Sequence, residues 1–198
     1  MQTPQQILET HWGFNTFKPL QKEIIDAVCA GQDTLALLPT GGGKSLCYQI
    51  PALLTEGICL VVSPLIALMN DQINALKNKQ IGTLSLQGAL SVNRQIEIIE
   101  NAIHGPYKFL FLSPERIQNK QITTALARIP VSIITVDEAH CISEWGHDFR
   151  PAYSQLQILK TLFPKATTLA LTATATPRVI KDIQHTLMLK NMAFFKAS

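Results

Sequence analysis

The sequence has no apolar run long enough to cross a membrane, because runs such as Ile58–Val62 are far shorter than the ~20 residues needed. The start, Met1–Pro4, lacks the basic and apolar stretches of a secretory signal peptide. The cysteines never occur as C-x-x-C pairs, the usual spacing of a zinc site. We therefore expect a cytoplasmic protein without a membrane partner. Four cysteines are expected to be reduced and buried: Cys29, Cys47, Cys59 and Cys141.

Charge is also scarce. Charged residues make up 16% of the 198 residues, below the share of about 25% in soluble domains. The net charge of +3 is too small to indicate a nucleic-acid partner by itself, so a basic footprint would have to be local. The hydrophobic fraction of 46% is enough for a full core, and the length fits one domain. One explanation of the low charge is that another domain covers part of the surface.

Apolar strand-like runs alternate with longer stretches of helical periodicity, such as Leu65–Lys77 and Ser91–Ile103. A further helix is expected from Pro151. Several strands are apolar at nearly every residue, as in strands that are buried on both faces. The pattern predicts a single α/β domain over residues 1–198, with a mostly parallel sheet and helices on both faces. The strand-like runs are Thr34–Leu38, Ile58–Val62, Thr83–Leu86, Phe109–Leu112, Val131–Val136 and Thr167–Leu171.

Polar residues follow directly after several of these strands. Ligands of parallel α/β sheets bind outside the carboxyl ends of the strands, so we expect the functional site at this edge. For the Ser-Pro pairs at 63–64 and 113–114, a contact with a phosphate and a simple helix start remain equal alternatives. The segments are the glycine-rich run after the first strand, Ser63-Pro64, Ser113-Pro114, Asp137-Glu138 and Thr172.

The glycine-rich run Thr40-Gly41-Gly42-Gly43-Lys44-Ser45, the glycine loop, stands between the first strand and a helix predicted over Lys44–Leu54. Glycines let the backbone N–H groups curl around a polyphosphate, and the helix N-terminus adds partial positive charge. Lys44 would reach the β- and γ-phosphates of ATP, and Ser45 would hold Mg²⁺. The general pattern asks for a glycine at the position of Leu38, so a glycine-rich turn without a ligand is the alternative.

The acidic pair Asp137-Glu138 follows the buried strand Val131–Val136. In P-loop proteins an acidic residue at such a strand end holds Mg²⁺. Asp137 would bind the metal through water, and Glu138 would orient or deprotonate the attacking water. His140 is placed to sense the nucleotide. An isolated acidic pair is usually a solvated turn, but after a Gly-Lys-Ser loop in an alternating chain a nucleotide site is favoured.

Three motifs together resemble the first motor lobe of superfamily 2 helicases: the glycine loop, Asp137-Glu138-Ala139-His140 and Thr172-Ala173-Thr174-Ala175-Thr176. The chain more narrowly resembles the RecQ family over about Ile7 to Lys190. The segments that carry the narrower resemblance are Gly41–Gln49, Val62–Gln72 and Cys141–Pro151. In that class the position of Leu38 need not be glycine.

The resemblance implies a RecA-like P-loop lobe of an ATP-dependent 3′-to-5′ DNA helicase, with ATP and Mg²⁺ as cofactors and roles in DNA repair and recombination. Its partners would be single-stranded and forked DNA and a second RecA-like lobe, in the bacterial cytoplasm or nucleoid. Nothing in the chain resembles that second lobe with its arginine fingers, or a zinc-binding or winged-helix module. We expect zinc only in that missing part, and little hydrolysis by the isolated lobe.

The resemblance also implies a nucleobase site at Trp12–Gln21. Phe14 and Lys18 would flank the adenine, and Gln21 would read its edge through a paired donor and acceptor. The family usually has arginine at the position of Lys18, and lysine lacks a flat guanidinium for stacking, so adenine selectivity is expected to be looser. An ordinary exposed helix residue is the alternative for Gln21.

Aromatic and charged residues crowd the segment Trp145–Arg150, the aromatic loop, and continue to Tyr153. Aromatic and arginine side chains suit sequence-tolerant stacking on single strands, and the resemblance implies that this loop senses single-stranded DNA and couples it to ATP hydrolysis. A packed structural loop is the alternative. The candidate residues are Trp145, His147, Asp148, Phe149 and Arg150, with Thr172 and Thr174 as the link to the ATP site, unless these threonines only favour the strand.

Two other functions stay open. One is an ATP-responsive DNA-binding or annealing module without unwinding, against which Glu138 argues, since a pure binder has no use for it. The other is an RNA helicase lobe, which the segment Trp145–Arg150 disfavours.

Overall fold

The computed structural model describes residues 2–197. Its strands are β1 Thr34–Leu37, β2 Ile58–Val62, β3 Thr83–Leu86, β4 Phe109–Leu112, β5 Val131–Val136, β6 Thr167–Thr172 and β7 Ala193–Lys196. Its helices are α1 Pro4–Trp12, α2 Gln21–Cys29, α3 Leu46–Leu54, α4 Ile66–Asn78, α5 Val92–His104, α6 Lys120–Leu126, α7 Gln157–Leu162 and α8 Pro177–Thr186. Shorter 3₁₀ turns cover Pro114–Gln118, Ala139–Ile142 and Pro151–Gln155.

The strands form one sheet in the order β3-β4-β2-β5-β6-β1-β7, and every neighbouring pair is parallel. Strand β2 shows why its sequence is apolar throughout. Leu60 and Val62 pack into one hydrophobic cluster, while Cys59 and Val61 pack into a second cluster on the other face. Successive strand residues point to opposite faces, so both faces of β2 are covered. The predicted parallel α/β sheet is confirmed.

Three details differ from the sequence predictions. Strand β7 was not predicted, since it is short and alternates between half-buried and exposed residues at the sheet edge. The helix expected from Lys44 begins at Leu46, because residues 43–45 still belong to the glycine-loop turn, in which Gly43 has a φ of 75°. Pro151 begins a 3₁₀ turn, and the α-helix follows only at Gln157.

The cysteines agree with expectation in three of four cases. Cys47, Cys59 and Cys141 are buried, and burial raises the pKa of each of these thiols to about 12. Cys29 is exposed, because it closes α2 on the solvent side. All four are free thiols. Within residues 2–197, no helix combines the length and the apolar character that a membrane crossing requires.

Candidate functional site

The carboxyl ends of β1, β2 and β5 meet at one edge of the sheet, as the sequence predicted. They surround a cavity of about 330 Å³, the phosphate cavity. The glycine loop forms one wall, and the acidic pair Asp137-Glu138 forms another. Ser63, from the end of β2, lies between them.

The glycine loop has the backbone conformation that its composition predicts. Gly41 and Gly43 have φ angles of 77° and 75°, which side chains resist. A Cβ atom on Gly43 would lie 2.2 Å from Nε2 of Gln21, so the close approach also requires glycine. Within residues 2–197, the N–H groups of Gly43, Lys44 and Ser45 donate to no protein acceptor. They are free to bind an anion.

The acidic pair stands opposite Lys44, whose Nζ lies 3.4 Å from Oε1 of Glu138. Glu138 has a φ of 48°, a left-handed conformation that is uncommon for a residue with a side chain. Burial, and then the charge of Glu138, raise the pKa of Asp137 to about 6. The hydroxyl of Tyr153 donates to the backbone carbonyl of Asp137 at 2.9 Å. The left-handed backbone of Glu138 and the burial of the Asp137 carboxylate both cost stability, and such costs are typical of a functional site.

The phosphate cavity fits a magnesium-bound triphosphate. Lys44 supplies a cation, Asp137 and Glu138 supply carboxylates, and Ser45 adds a hydroxyl. The Oγ atom of Ser63 is buried and finds no hydrogen-bond partner among the residues that the structure describes, so a polar ligand would satisfy it. Mg²⁺ prefers such oxygen ligands and phosphates together.

A second cavity of about 550 Å³ adjoins the first and shares Gly43 and Ser45 with it. Phe14 is 55% exposed at its rim. Lys18 Nζ donates to the carbonyl of Gly41 at 2.7 Å. The residues that the resemblance assigns to adenine line this cavity, and adenine binding there stays a prediction.

Gln21 lines the second cavity, but its amide is occupied by the protein. Its Oε1 accepts from the backbone N–H of Lys18 at 2.8 Å, and its Nε2 donates to the carbonyl of Gly43 at 3.0 Å. Only 1% of the residue is exposed. Gln21 thus connects the backbone at Lys18 with the glycine loop. Its contact with adenine stays a prediction. The alternative of an exposed helix residue is wrong.

His140 connects the acidic pair to the end of β6. Its Nδ1 lies 2.9 Å from Oγ1 of Thr172 and 3.3 Å from Oε2 of Glu138. Thr172 Oγ1 donates to the carbonyl of Thr174 at 3.0 Å, so it accepts from His140, and Nδ1 carries the proton. Burial, and then His147, lower the pKa of His140, which keeps the imidazole neutral.

The aromatic loop continues from this histidine. The ring of His147 stacks on that of His140 with centroids 4.1 Å apart. Arg150 donates to Asp148 Oδ2 at 3.3 Å and to the carbonyl of Pro64 at 3.1 Å, which ties the loop to the segment after β2. Phe149 is half-buried. Trp145, in contrast, is 61% exposed at the surface.

The candidate residues from the sequence thus lie in three connected places. The glycine loop with Asp137 and Glu138 forms the phosphate cavity, Phe14, Lys18 and Gln21 lie beside it, and His140 leads to the aromatic loop. The exposed Thr174 lies outside the phosphate cavity.

Sequence reasoning missed two roles. Tyr153 was counted with the aromatic loop, but it is fully buried and braces Asp137. For Ser63 the sequence offers a DNA contact or a helix start, which stay predictions, while the residue also lines the phosphate cavity. No local sequence pattern predicts either role, because both roles depend on contacts between separate elements.

Comparison with known proteins identifies this arrangement. A family model described as DEAD/DEAH box helicase matches residues 18–183. The chain belongs to the DEAD/DEAH box helicase family. It is 44% identical to the probable ATP-dependent DNA helicase RecS of Bacillus subtilis over 94% of its own length. It is also 44% identical to the ATP-dependent DNA helicase RecQ of Haemophilus influenzae over 96% of its length. The predicted resemblance to RecQ helicases is confirmed.

The chain spans 38% of that RecS and 31% of that RecQ protein, so these relatives are much longer. Solved helicases share its fold at low sequence identity. The DUF1998 helicase MrfA, solved with DNA, superposes with a TM-score of 0.75 at 18% identity, covering 100% of this chain and 30% of that one. A hypothetical ATP-dependent RNA helicase of Sulfolobus tokodaii gives 0.74 at 19% identity, covering 100% of this chain and 57% of that one.

Proposed function

We propose that the chain is the ATP-binding motor lobe of a RecQ-type 3′-to-5′ DNA helicase, which couples ATP hydrolysis to movement along single-stranded DNA and to duplex unwinding. One observation carries the proposal. A continuous path of contacts leads from Lys44 and Glu138 through His140 to the exposed aromatic loop. A nucleotide cavity connected in this way to a stacking surface is suited to a motor that alternates between ATP and a nucleic-acid strand.

In this proposal Lys44 binds the β- and γ-phosphates of ATP, and the free N–H groups of the glycine loop surround them. Ser45 and Asp137 would hold Mg²⁺, which when bound would neutralise charge on the transferred phosphoryl group. Glu138 pairs with Lys44. When Lys44 turns to the phosphates, Glu138 is released to orient the attacking water and accept its proton.

The aromatic loop reports on DNA through His140. The neutral ring of His140 donates from Nδ1 towards Thr172 and Glu138. Displacement of the stacked His147 would therefore change the orientation of the His140 ring. Glu138 would then be positioned only when DNA is bound. His140 acts here as a hydrogen-bond donor through Nδ1, and its lowered pKa favours the neutral ring.

We propose single-stranded and forked DNA as substrates and a second RecA-like lobe as the partner of this one. The names of the relatives support a DNA substrate, and their greater length leaves room for further modules, where zinc is expected. We place the enzyme in the cytoplasm, at the bacterial nucleoid, which is the location of a bacterial chromosome.

The substitution Glu138→Gln tests the proposal in a protein that contains both lobes. We expect DNA-stimulated ATP turnover to fall at least about 100-fold, because the general base is lost, while ATP still binds. Unwinding measured on a forked duplex should be lost with it. Strand separation that continues unchanged would contradict the motor. An unsubstituted protein that anneals strands but does not unwind the duplex would favour the ATP-responsive annealing module. Stimulation by RNA that equals stimulation by single-stranded DNA would favour the RNA helicase.

A further inference from the structure

Helix α8 contacts the aromatic loop region at two points outside the nucleotide cavities. The guanidinium carbon of Arg178 lies 3.8 Å from the centre of the Trp145 ring. Ser143, just before the loop, donates from its hydroxyl to Asp182 Oδ2 at 2.5 Å. Arg178 and Asp182 stand one helical turn apart, so they share one face of α8. This face of α8 therefore contacts Trp145 through a cation–π contact and Ser143 through a charge-assisted hydrogen bond.

The two contacts act on the same residue. The backbone N–H of Trp145 donates to the hydroxyl of Ser143 at 3.2 Å. Ser143 itself is 1% exposed, so its hydrogen bonds are shielded from water. Asp182 thus holds the backbone of Trp145 through Ser143, while Arg178 holds its ring.

The glycine in the loop allows this close arrangement. A Cβ atom on Gly146 would lie 2.5 Å from the carbonyl oxygen of His140 and 3.1 Å from that of Ser143. The chain after Trp145 therefore folds back against the residues that carry the coupling contacts. The ring of Trp145 is placed by a tight turn as well as by α8.

The residue Trp145 is nevertheless 61% exposed. Arg178 lies over one face of the ring, so the opposite face is the one left for a ligand. An indole ring fixed from one side has already lost part of its conformational freedom, so a ligand that stacks on the open face loses less entropy on binding. Unpaired nucleobases stack on aromatic rings in this manner.

We propose that Arg178 and Asp182 are positioning residues that hold Trp145 ready to stack on an unpaired nucleobase. The inference rests on the proposed function, since single-stranded DNA is the ligand of the loop there. It assigns a role to α8, which follows directly after the segment Thr172–Thr176. The end of β6 thus contacts His140 through Thr172, and the helix that follows it contacts Trp145 through Arg178.

The first test measures binding of a fluorescein-labelled oligo(dT) to the 198-residue chain by anisotropy. We expect Arg178→Ala to weaken binding about 2- to 5-fold, since an exposed cation–π contact has that strength, and Arg178→Lys to restore most of it. Lys181→Ala, an exposed cation of the same helix, is the control for lost charge. Unchanged or tighter binding by Arg178→Ala would overturn the inference, since tighter binding means that Arg178 competes with the base.

A double-mutant cycle separates positioning from a direct phosphate contact. In a Trp145→Ala background, Arg178→Ala should cause no further loss if it acts through the tryptophan. A full additional loss would mean that Arg178 binds the backbone of the strand, which contradicts the inference. For Asp182 the matched pair is Asp182→Ala and Asp182→Asn. Both are neutral, but only asparagine still accepts from Ser143, so the alanine variant should bind more weakly.

Fluorescence without DNA tests the contact itself. The chain has two tryptophans, so Trp12→Phe leaves Trp145 as the only reporter. Arg178→Ala in this background should increase the quenching of Trp145 by acrylamide, whereas Lys181→Ala should not. An unchanged signal would overturn the inference. A chain that binds no single-stranded DNA at all would instead contradict the proposed function, while the fluorescence result still reports on Arg178.

Discussion

At the scale of single residues, the end of β5 holds two neighbouring carboxylates at a cost in stability. Asp137 is enclosed next to Glu138, and its pKa rises to about 6 as a result. Glu138 adds backbone strain through its positive φ of 48°. Bound Mg²⁺ would relieve the repulsion between the two charges. The sequence predicts the identity of this pair but not its cost, because the cost depends on the burial that the folded sheet imposes.

The raised pKa of Asp137 predicts how stability depends on pH. Its folded value, about 6, exceeds the unfolded value of about 3.9, so the native state binds more protons between them. The destabilisation is therefore absent at low pH and complete above about pH 6. We expect Asp137→Asn, in EDTA, to raise the melting temperature at about pH 8 by at least about 2 °C, with little gain at about pH 4. The exposed Asp71→Asn is the control. An equal gain at both pH values would contradict the electrostatic cause.

At the scale of elements, the strands that are apolar on both faces were predictable and the edge strand was not. Phe109 and Phe111 point to one face of β4, and Leu110 and Leu112 to the other, so the run is apolar throughout. Strand β7 has a single neighbour and half-exposed residues, so its sequence carries only a weak signal. The start of α3 was misplaced because a contact from Gln21 holds Gly43 in the turn, and no local pattern encodes that contact.

An ion pair joins three elements at the amino-terminal ends of the strands, opposite the phosphate cavity. Lys160 of α7 lies 2.9 Å from Asp33, which precedes β1, and Asp33 also accepts from the backbone N–H of Thr168 on β6 at 2.8 Å. We expect Asp33→Ala to lower the free energy of unfolding in urea by about 2–3 kcal/mol, since it leaves Lys160 without its partner. Asp26→Ala, which breaks the exposed pair with Lys22, should cost less than about 1 kcal/mol. Equal losses would mean that the pair at Asp33 has no special role.

At the scale of the whole molecule, topology brings together what the sequence separates. The glycine loop and the acidic pair were predictable as two halves of one site, since each follows a strand of a parallel sheet. Ser63, Tyr153, Arg178 and Asp182 could not be assigned from the sequence, because their roles come from contacts between distant segments. One continuous set of contacts connects the phosphate cavity with the aromatic loop.

In the proposed function, a second lobe supplies part of the catalytic machinery. An arginine finger accounts for about 10³–10⁵ in rate in P-loop systems. We therefore expect the 198-residue chain to hydrolyse ATP slowly even with single-stranded DNA, and turnover to rise by about 10³ or more in a protein that contains both lobes. A coupled ATPase assay measures both. Comparable turnover would mean that this lobe needs no arginine from outside.

Binding of a fluorescent ATP analogue to the chain tests the central claim, a magnesium-dependent nucleotide site at the carboxyl edge of the sheet, most directly. We predict saturable binding that EDTA weakens and that Lys44→Ala weakens at least about tenfold, because a charge-assisted contact with the phosphates is lost. Lys190→Ala, at the opposite edge beside Asp33, should bind like the unsubstituted chain. Binding that Lys44→Ala leaves intact, or no saturable binding at all, would contradict the claim.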